Sequence, residues 1–519
     1  MEATFWAFTP AIVAIVLALI TKQVYVSLFL GILTGAFMYT GGNPLQALGT
    51  LYTVMSEKVG ANVPIIVFLV VLGIFVILMQ KSGGSRAYGN WAEKKIKSKS
   101  GALAATAGLG CLIFVDDYFN CLTVGSVMRP VTDKFRVSHA KLAWIIDCTA
   151  APVCIIAPIS SWAAAVSGQL EGNSFVMFIK TIPFNIYAIL TLIMVFAFCI
   201  FNLDLGKMKK NEEIAATTGD LNAGETDLPT DEDSTIVANP KGRVHHLVVP
   251  VLILIACCIG GMIYSGFFYN WDTGVYGTEL QSANVIEAFA NCDAGSALAI
   301  GSTIALVIVG IYYMITKTVS FKEITNSFTQ GFKTMVPAIL ILTFAWSIAG
   351  IMGAKGGYLD AQGFVQTYMA NIPATIQAFF PAIFFLLASG IAFATGTSWG
   401  TFGVLIPVAV AILGGSGTSI LLTVSATLGG AVFGDHVSPI SDTTILSSTG
   451  GNCNHVDHVK TQLPYASIVA GISFVSYVVI GLLSTSNAVI AGVVMWAVAL
   501  ILFAALVVLL MAKKKKAAK

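Results

Sequence analysis

Long apolar runs separated by short polar stretches dominate this 519-residue chain. A helix needs about 20 mostly apolar residues to cross the hydrocarbon core of a bilayer. Runs of about this length predict eleven membrane spans, and two further apolar segments, 101–130 and 373–415, are interrupted near their middle. The predicted spans lie near 6–21, 24–40, 62–80, 141–167, 175–201, 247–268, 297–316, 335–353, 417–449, 464–484 and 489–511.

The composition agrees with this pattern. Hydrophobic residues make up 56% of the chain and charged residues 10%, whereas soluble domains carry about 25% charged residues. We therefore expect an all-α polytopic protein of the cell membrane, with lipid as its surroundings. The net charge of +2 and the scattered basic residues give no indication of nucleic-acid binding. The nine cysteines show no spacing typical of disulfides or zinc, and no cofactor is expected.

Lysine and arginine are concentrated in loops, and this predicts the orientation of the chain. The basic stretches 81–100, 207–210, 241–243 and 317–333 are expected to be cytoplasmic, together with the tail 513–519. The stretch 269–296 contains neither lysine nor arginine and is expected outside. Counting spans from these anchors places the N-terminus outside and the C-terminus inside. No cleavage site follows the first apolar run, which is expected to be retained.

The segment 101–130 does not fit a single crossing. Basic stretches flank it on both sides, so both of its ends are expected to be cytoplasmic. Each arm has about 14 residues, or roughly 21 Å of helix, which reaches mid-membrane but does not cross it. We therefore predict a re-entrant hairpin with its tip at 116–120 (DDYFN).

The second half of the chain repeats this arrangement. A second hairpin is predicted over 373–415, around 394–400 (ATGTSWG), and both of its ends fall outside by the span count. Each hairpin precedes a span interrupted by almost the same tetrapeptide, at 157–160 (APIS) and 438–441 (SPIS). One hairpin opens inward and the other outward, so the repeats are inverted. Inverted repeats with discontinuous helices are typical of secondary transporters.

These features divide the chain into four parts. The first half, 1–202, contains the hairpin 101–130 and the broken helix 141–167, and the second half, 246–512, contains the hairpin 373–415 and the broken helix 417–449. Between them, 203–245 is acidic and rich in Thr, Asn and Gly, which predicts a flexible cytoplasmic linker. The basic cytoplasmic tail, 513–519, ends the chain.

The four interruptions carry oxygen-bearing side chains where lipid is expected, and charge there is costly unless it serves a function. Oxygen-only groups suit hard cations, so the interruptions predict an ion or substrate site near the middle of the membrane. Sodium is expected on Asp116, Asp117, Asn120 and Asp442. The remaining candidate ligands are Ser160, Ser161, Thr397, Ser398, Ser441 and Thr443.

Several polar residues near the interruptions have more than one interpretation. Asp147, Asp435 and His436 are candidates for proton relay, but Asp147 could equally bond a backbone end and His436 could be a satisfied core histidine. His455 and His458 are assigned to a cytoplasmic loop, 452–463, as solvated residues. Trp162 and Trp399 either wall the site or pack. Asp442 aligns with Ser161 of the first half, so the site is expected to be asymmetric.

The motifs resemble those of the NhaC-type sodium/proton antiporter family, part of the ion transporter superfamily. The resemblance rests on 114–120 (FVDDYFN), 124–130 (VGSVMRP), 151–162 with its APISSW end, 434–444 (GDHVSPISDTT) and 457–465 (DHVKTQLPY). It implies a sodium- or proton-coupled transporter with scaffold and transport domains, an elevator-type movement and a homodimer.

Two functions remain open. The first is exchange of Na⁺ for H⁺ by alternating access, with the carboxylates binding the two ions in turn. The second is Na⁺- or H⁺-coupled transport of a small organic acid or amino acid, since 395–400 could accommodate a carboxylate through hydroxyls and backbone amides. An enzyme is not expected: Asp116 and Asp442 could in principle form a protease dyad, but duplicated hairpins have no role in proteolysis and no Gly-x-Gly-Asp sequence precedes Asp442.

Overall fold

The computed structural model is almost entirely helical. It describes all residues except 1–3, 22, 171–173, 227, 229–237, 271–274, 291, 353–357, 362, 365–372, 414–416, 484–486 and 518–519. The helices of the first half are α1 (Thr9–Thr21), α2 (Val24–Tyr39), α3 (Pro44–Ala61), α4 (Val63–Ser82), α5 (Gly84–Lys95), α6 (Lys99–Leu112), α7 (Asp117–Lys134), α8 (His139–Cys154), α9 (Ser161–Ser167), α10 (Ser174–Thr181) and α11 (Ile186–Phe201). Two 3-10 helices, η1 (Phe5–Phe8) and η2 (Ile182–Phe184), accompany them.

The described remainder of the chain contains helices α12 to α23 and a short β-hairpin between α13 and α14. The hairpin pairs β1 (Tyr269–Asn270) with β2 (Val275–Tyr276) in antiparallel register, Tyr269 opposite Tyr276. The helices are α12 (Gly206–Thr218), α13 (His245–Phe268), α14 (Val285–Ala290), α15 (Ala294–Ile315), α16 (Phe321–Met352), α17 (Ala374–Gln377), α18 (Phe380–Thr395), α19 (Ser398–Leu413), α20 (Thr418–Val437), α21 (Asp442–Gly451), α22 (His455–Leu483) and α23 (Ala488–Ala517).

The structure confirms a helical protein with many candidate membrane spans. In the described part of the chain, eight helices are long and apolar enough to cross a membrane, or up to ten if each of two bent pairs is one span. The count of about eleven spans stays a prediction. One bent pair joins α2 to α3 at 120°, and α3 was missed by the apolar pattern because its buried residues form only a stripe: Ala47, Leu51 and Val54.

Two other sequence-based boundaries are corrected. The single span predicted over 175–201 is divided by η2, because Pro183 interrupts the helix and Asn185 caps the next one by accepting from the Ala188 amide at 3.1 Å. The predicted linker 203–245 is not flexible throughout, since residues 206–218 form α12. This helix packs on α8 and α22, and Glu212 on it is held by Lys99 at 2.6 Å and by the Ser138 amide at 2.7 Å.

The helices pack into two groups. Group one comprises α1–α4 and α13–α16, and group two comprises α6–α8, α11 and α18–α22. The groups meet where α16 packs against α19 and where α1 packs against α18. All four predicted interruptions coincide with ends of regular helix, and they lie in group two or, in the case of α9, beside it.

Candidate functional site

The four helix interruptions meet as two pairs. In the first half, the Ser161 amide donates to the Val115 carbonyl at 2.9 Å, which joins the α8–α9 break to the α6–α7 break. In the second half, the Asp442 amide donates to the Gly396 carbonyl at 3.4 Å, which joins the α20–α21 break to the α18–α19 break. Both donor and acceptor positions are displaced by 281 residues between the halves. The two halves therefore build the same local structure.

The same displacement relates two serine caps. Ser160 accepts from the Ala163 amide at 3.0 Å, and Ser441 accepts from the Thr444 amide at 3.2 Å. The Ser160 hydroxyl also donates to the Cys154 carbonyl at 2.7 Å. These bonds satisfy the free amides at the starts of α9 and α21, so the first role of both predicted ligands is to begin a helix.

The α6–α7 turn is tighter than the sequence indicated. The non-helical residues are 113–116, and residues 118–120 lie in the first turn of α7 rather than at the predicted tip. The Asn120 amide nitrogen causes this by donating to the carbonyls of Gly110 at 2.7 Å, Ile113 at 2.9 Å and Thr149 at 2.9 Å. Its carbonyl oxygen has no hydrogen-bond partner in the described residues.

The two adjacent acids are fully buried but differ in their partners. Asp116 accepts a hydrogen bond from the Ser161 hydroxyl at 3.2 Å. Neither carboxylate oxygen of Asp117 accepts one within the described residues. The Trp162 indole N–H acts on the Asp117 carboxylate as a weak donor, but the contact does not reach the geometry of a normal hydrogen bond. A buried carboxylate without donors is costly, so Asp117 is suited to a cation or a proton.

A second buried carboxylate lies at the facing break. Asp435 Oδ2 accepts from the Ser398 hydroxyl at 3.0 Å and from the Thr443 hydroxyl at 3.1 Å. Its Oδ1 has no hydrogen-bond partner in the described part of the chain. Asp435 and Asp117 are close enough to interact electrostatically. Thr397, also buried, accepts from the Gly400 amide at 3.3 Å and thereby shapes the turn before Ser398.

Asp442 is separated from this buried pair. It is exposed, although it was the leading candidate of the second half, and its carboxylate accepts from the Tyr118 hydroxyl at 3.3 Å. This happens because Asp442 is the first residue of α21, where the side chain turns outward while Thr443 and Thr444 turn inward. The structure thus assigns the inner position of the second half to Asp435.

Two tryptophans pack together beside the buried carboxylate of Asp117. The rings of Trp162 and Trp399 lie 5.5 Å apart in an edge-to-face arrangement, and Trp162 also packs on Phe402. Trp399 and Tyr118 are again 281 positions apart. Tyr118 of the first hairpin contacts Asp442 at the second-half break, and Trp399 of the second hairpin contacts Trp162 at the first-half break. The tryptophans therefore pack against each other, and a role as a wall of the site stays a prediction.

A further polar network surrounds Asp147, and the sequence assigned part of it wrongly. His458 is fully buried in α22, not solvated in a loop, and its Nε2 lies 3.5 Å from Asp147 Oδ2. Gln462, one turn later and not singled out by the sequence analysis, donates to Asp147 at 2.6 Å and to the His436 carbonyl at 2.7 Å. The spacing His458 to Gln462 places both on one helical face, which was the available signal.

His436 and His455 have separate partners. His436 Nδ1 contacts the Tyr187 hydroxyl at 2.9 Å, while its Nε2 has no hydrogen-bond partner in the described residues, so the buried ring is only half satisfied. His455 is the first residue of α22 and its Nε2 lies 2.7 Å from the Pro439 carbonyl. Pro439 belongs to the second break, so this histidine, too, is more than a solvated loop residue.

The donor set fits an alkali cation better than a transition metal. Among the described residues, no group of three or more His, Cys, Asp or Glu side chains could hold a metal ion together. Asp117, Asp435 and the neighbouring hydroxyls offer only oxygen, which suits hard cations. The structure brings together some predicted residues and leaves others apart: Asp435 is joined with Ser398 and Thr443, Asp116 with Ser161, and the Asp442 carboxylate with Tyr118.

Apolar helices interrupted at buried carboxylates define an integral membrane protein of the transporter class. A family model described as the Na+/H+ antiporter family matches residues 165–482. The chain belongs to this family, and the resemblance found in its motifs is confirmed. Members of the family are transporters.

The relatives differ in what they are named for. An uncharacterized protein of Haemophilus influenzae is 38% identical over 499 residues, covering 92% of this chain and 91% of that protein. A malate-2H(+)/Na(+)-lactate antiporter of Bacillus subtilis is 36% identical over 155 residues, 29% of this chain and 31% of the relative. An arginine/ornithine antiporter of Halobacterium salinarum, ArcD, is 32% identical over 167 residues, 32% of each chain. The family thus includes proteins named for organic substrates.

Proposed function

We propose that the protein exchanges Na⁺ for H⁺ across the cell membrane by alternating access. The observation that carries this proposal is the pair of buried carboxylates, Asp117 and Asp435, at facing helix breaks with oxygens that lack hydrogen-bond donors in the described residues. An ion pair or a cation would compensate their charge, and a proton would do the same. Such carboxylates bind either species, which is the requirement for exchange.

The proposed ion site differs from the one inferred from sequence. Asp117 and Asp435 supply charge, and Ser398, Thr443 and the free carbonyl oxygen of Asn120 supply neutral oxygens. Asp116 lies next to Asp117 and raises the local negative charge. Asp442 is not a member of this set, because its carboxylate faces away from it.

Alternating access is proposed to use the two groups of helices. The repeated local structures at a displacement of 281 residues support two repeats with inverted topology, each with a hairpin and a broken helix. Group two carries the breaks and is proposed as the transport domain, and group one as the scaffold, as in an elevator. A homodimer with an outside N-terminus and a cytoplasmic C-terminus completes the proposal.

A second function is favoured by one observation. Asp442 is exposed beside the half-buried Tyr118, and Tyr25 lies within electrostatic reach of it. A carboxylate exposed to lipid is costly, so we infer that Asp442 faces water, and an organic substrate is proposed to approach from this side. Na⁺- or H⁺-coupled exchange of a small organic acid or amino acid is therefore the alternative, and the names of two relatives agree with it.

Proteoliposomes containing a pH-sensitive dye test the first proposal. An outward Na⁺ gradient should drive proton uptake into the proteoliposomes. No proton uptake should occur when Na⁺ is replaced by an impermeant cation, or in liposomes without the protein. Absence of Na⁺-dependent proton flux at every pH would contradict Na⁺/H⁺ exchange. A thermal-shift screen with carboxylates and amino acids, with and without Na⁺, tests the alternative, which fails if no metabolite stabilises the protein beyond Na⁺ alone.

A further inference from the structure

An exposed carboxylate lies beside two phenol rings at the point where the second broken helix resumes. Asp442 is the first residue of α21, and its Oδ2 accepts from the Tyr118 hydroxyl at 3.3 Å. Tyr25 of α2, itself 38% exposed, lies within electrostatic reach of the same carboxylate. Tyr118 and Asp442 belong to group two and Tyr25 belongs to group one. The three side chains therefore come together at the boundary between the two groups.

The charge of Asp442 is not balanced by a neighbouring base. Among the described residues, no lysine, arginine or histidine forms an ion pair with it. The Tyr118 hydroxyl is the one side-chain donor to its carboxylate in the same part of the chain, and it reaches Oδ2. An exposed acid without a basic partner is open to a positively charged group from solution.

An apolar strip continues from this carboxylate along two helices. Contacts between α7 and α21 pair residues in the same order along both helices: Tyr118 with Asp442, Cys121 with Ser447 and Gly125 with Gly450. The two helices therefore run side by side in the same direction. Leu122 and Ile445, one turn beyond the first of these contacts, are 37% and 43% exposed. Residues three or four positions apart share a helix face, so the acid and the two aliphatic side chains lie along one surface.

We propose that Asp442, Tyr118 and Tyr25 bind the ammonium group of a small organic amine. Leu122 and Ile445 contact the aliphatic chain of this amine. A carboxylate and an ammonium group form charge-assisted hydrogen bonds, and the faces of phenol rings attract cations. The proposal rests on the alternative function given above, exchange of an organic substrate, and it identifies the class of that substrate as an amine rather than an acid.

Two other occupants match this surface less well. The Asp442 charge repels a substrate that carries only carboxylates, and no basic side chain compensates that repulsion. Hard cations such as Na⁺ are surrounded by oxygen atoms, whereas the ring faces of Tyr25 and Tyr118 offer none. The amine site is therefore separate from the proposed Na⁺ site at Asp117 and Asp435.

Calorimetric titration of the protein in detergent with three four-carbon probes tests the proposal. Putrescine carries an ammonium group at each end of its chain, succinate carries carboxylates and butanediol carries hydroxyls. We expect putrescine to bind and the other two probes to give no measurable binding. Asp442→Asn should weaken putrescine binding by about tenfold or more, because hydrogen bonds between charged groups are the strong ones.

Glu57→Gln is the matched control for this substitution. Glu57 is also exposed, and its Oε2 also accepts a tyrosine hydroxyl, that of Tyr358, at 3.3 Å, but it lies on α3 in group one. This variant should bind putrescine as the wild type does. If it loses as much affinity as Asp442→Asn, putrescine is attracted to exposed acids in general and the proposal is wrong.

Two substitutions of Tyr25 separate the effect of its ring from that of its hydroxyl. Tyr25→Leu removes the ring and should weaken putrescine binding by about two- to fivefold, the size of a cation–π contact at an exposed site. Tyr25→Phe keeps the ring and should bind putrescine as the wild type does. An unchanged affinity in Tyr25→Leu would contradict the proposed part of the ring in binding.

The probes also separate this proposal from the functions proposed above. Binding of succinate without binding of putrescine would overturn the amine site and leave exchange of an organic acid standing. Binding of neither probe, by a protein that shows Na⁺-dependent proton flux, would overturn the amine site and leave Na⁺/H⁺ exchange standing.

Discussion

At the scale of single residues, the carboxylates are the informative feature of this chain. The sequence indicated acids at two of the four interruptions but could not decide which of them face inward. Asp435 lies inside with Ser398 and Thr443, whereas Asp442 lies outside with Tyr118. The start of α21 turns Asp442 outward and its neighbour Thr443 inward, because successive residues of a helix point in different directions, whereas Asp435 lies on α20.

Asp435→Asn and Asp442→Asn form a matched pair of substitutions. The first removes a buried charge from the proposed ion site and should weaken Na⁺ binding by at least about tenfold, or 1.4 kcal/mol. The second removes an exposed charge and should change the Kd for Na⁺ by less than about twofold. Calorimetric titration of both variants with Na⁺ measures the difference, and equal losses would contradict the assignment of Asp435 to the site.

At the scale of helices, the contact between α7 and α21 holds the two halves together. Gly125 lies against the backbone of Gly450, and a Cβ added to Gly125 would be 2.4 Å from the Gly450 carbonyl carbon. Small residues permit such close approach in membrane helices. The contact positions α21 between the ion site and Asp147.

Gly125→Ala should therefore destabilise the protein, by about 1–3 kcal/mol, because the backbone of α21 has to move. Gly108→Ala on α6 is the control, since a Cβ there meets no atom within 4 Å. Its melting temperature should stay the same or rise slightly, because alanine favours helix over glycine by about 1 kcal/mol. Thermal unfolding in detergent compares the two, and an unchanged Gly125→Ala variant would contradict the close packing.

Helix α12, in the segment between the two halves, also connects distant helices. Asn211 on α12 donates to Asp457 at 2.7 Å, at the start of α22, and Glu212 binds the region before α8. The single helix α12 thus ties the start of α22 to the residue that precedes α8.

Glu212→Gln should lower stability by about 1–3 kcal/mol, because it removes the charge that pairs with Lys99 and weakens the bond to the Ser138 amide. Glu213→Gln is the neighbouring control: Glu213 is exposed and its pair with Lys209 spans 3.7 Å, which contributes about 0.3–0.5 kcal/mol at most. Melting temperatures of the two variants check this, and a larger loss for Glu213→Gln would refute the packing described for α12.

At the scale of the whole molecule, the proposed elevator movement requires the two groups of helices to slide past each other at their interface. Gly403 of α19 lies against Ala345 of α16, with a Cβ added to Gly403 lying 3.1 Å from the Ala345 Cβ. This contact joins group two to group one. Sliding of one group past the other would separate these residues.

Oxidation of an Ala345→Cys/Gly403→Cys variant should therefore form a disulfide and stop transport, and reduction should restore it. The control pair, Ala143→Cys/Gly451→Cys, lies within group two at a similar distance of 3.0 Å and should form a disulfide without stopping transport. Flux in proteoliposomes before and after oxidation measures both, with the single cysteine variants reporting any effect of native cysteines. Undiminished flux through the first cross-linked pair would contradict an elevator movement.

Much of this protein was determined by the sequence alone. Apolar run lengths gave the helical membrane class, since a bilayer requires about 20 apolar residues per crossing. Proline, glycine and serine gave all four interruptions, since these residues break or cap helices locally. The 281-residue displacement between 157–160 and 438–441 gave the repeated halves.

The tertiary structure decided what depends on direction and on distant partners. The outward position of Asp442 depends on how α21 is rotated against α7 and α8, and the inward position of Asp435 depends on the packing of α20 against α18 and α19. The burial of His458 follows from α22 packing on Asp147, which lies more than 300 positions earlier in the chain. The hydrophobic pattern indicates which residues avoid water. It does not indicate which helices pack together, because a contact between two distant segments changes the local periodicity of neither segment.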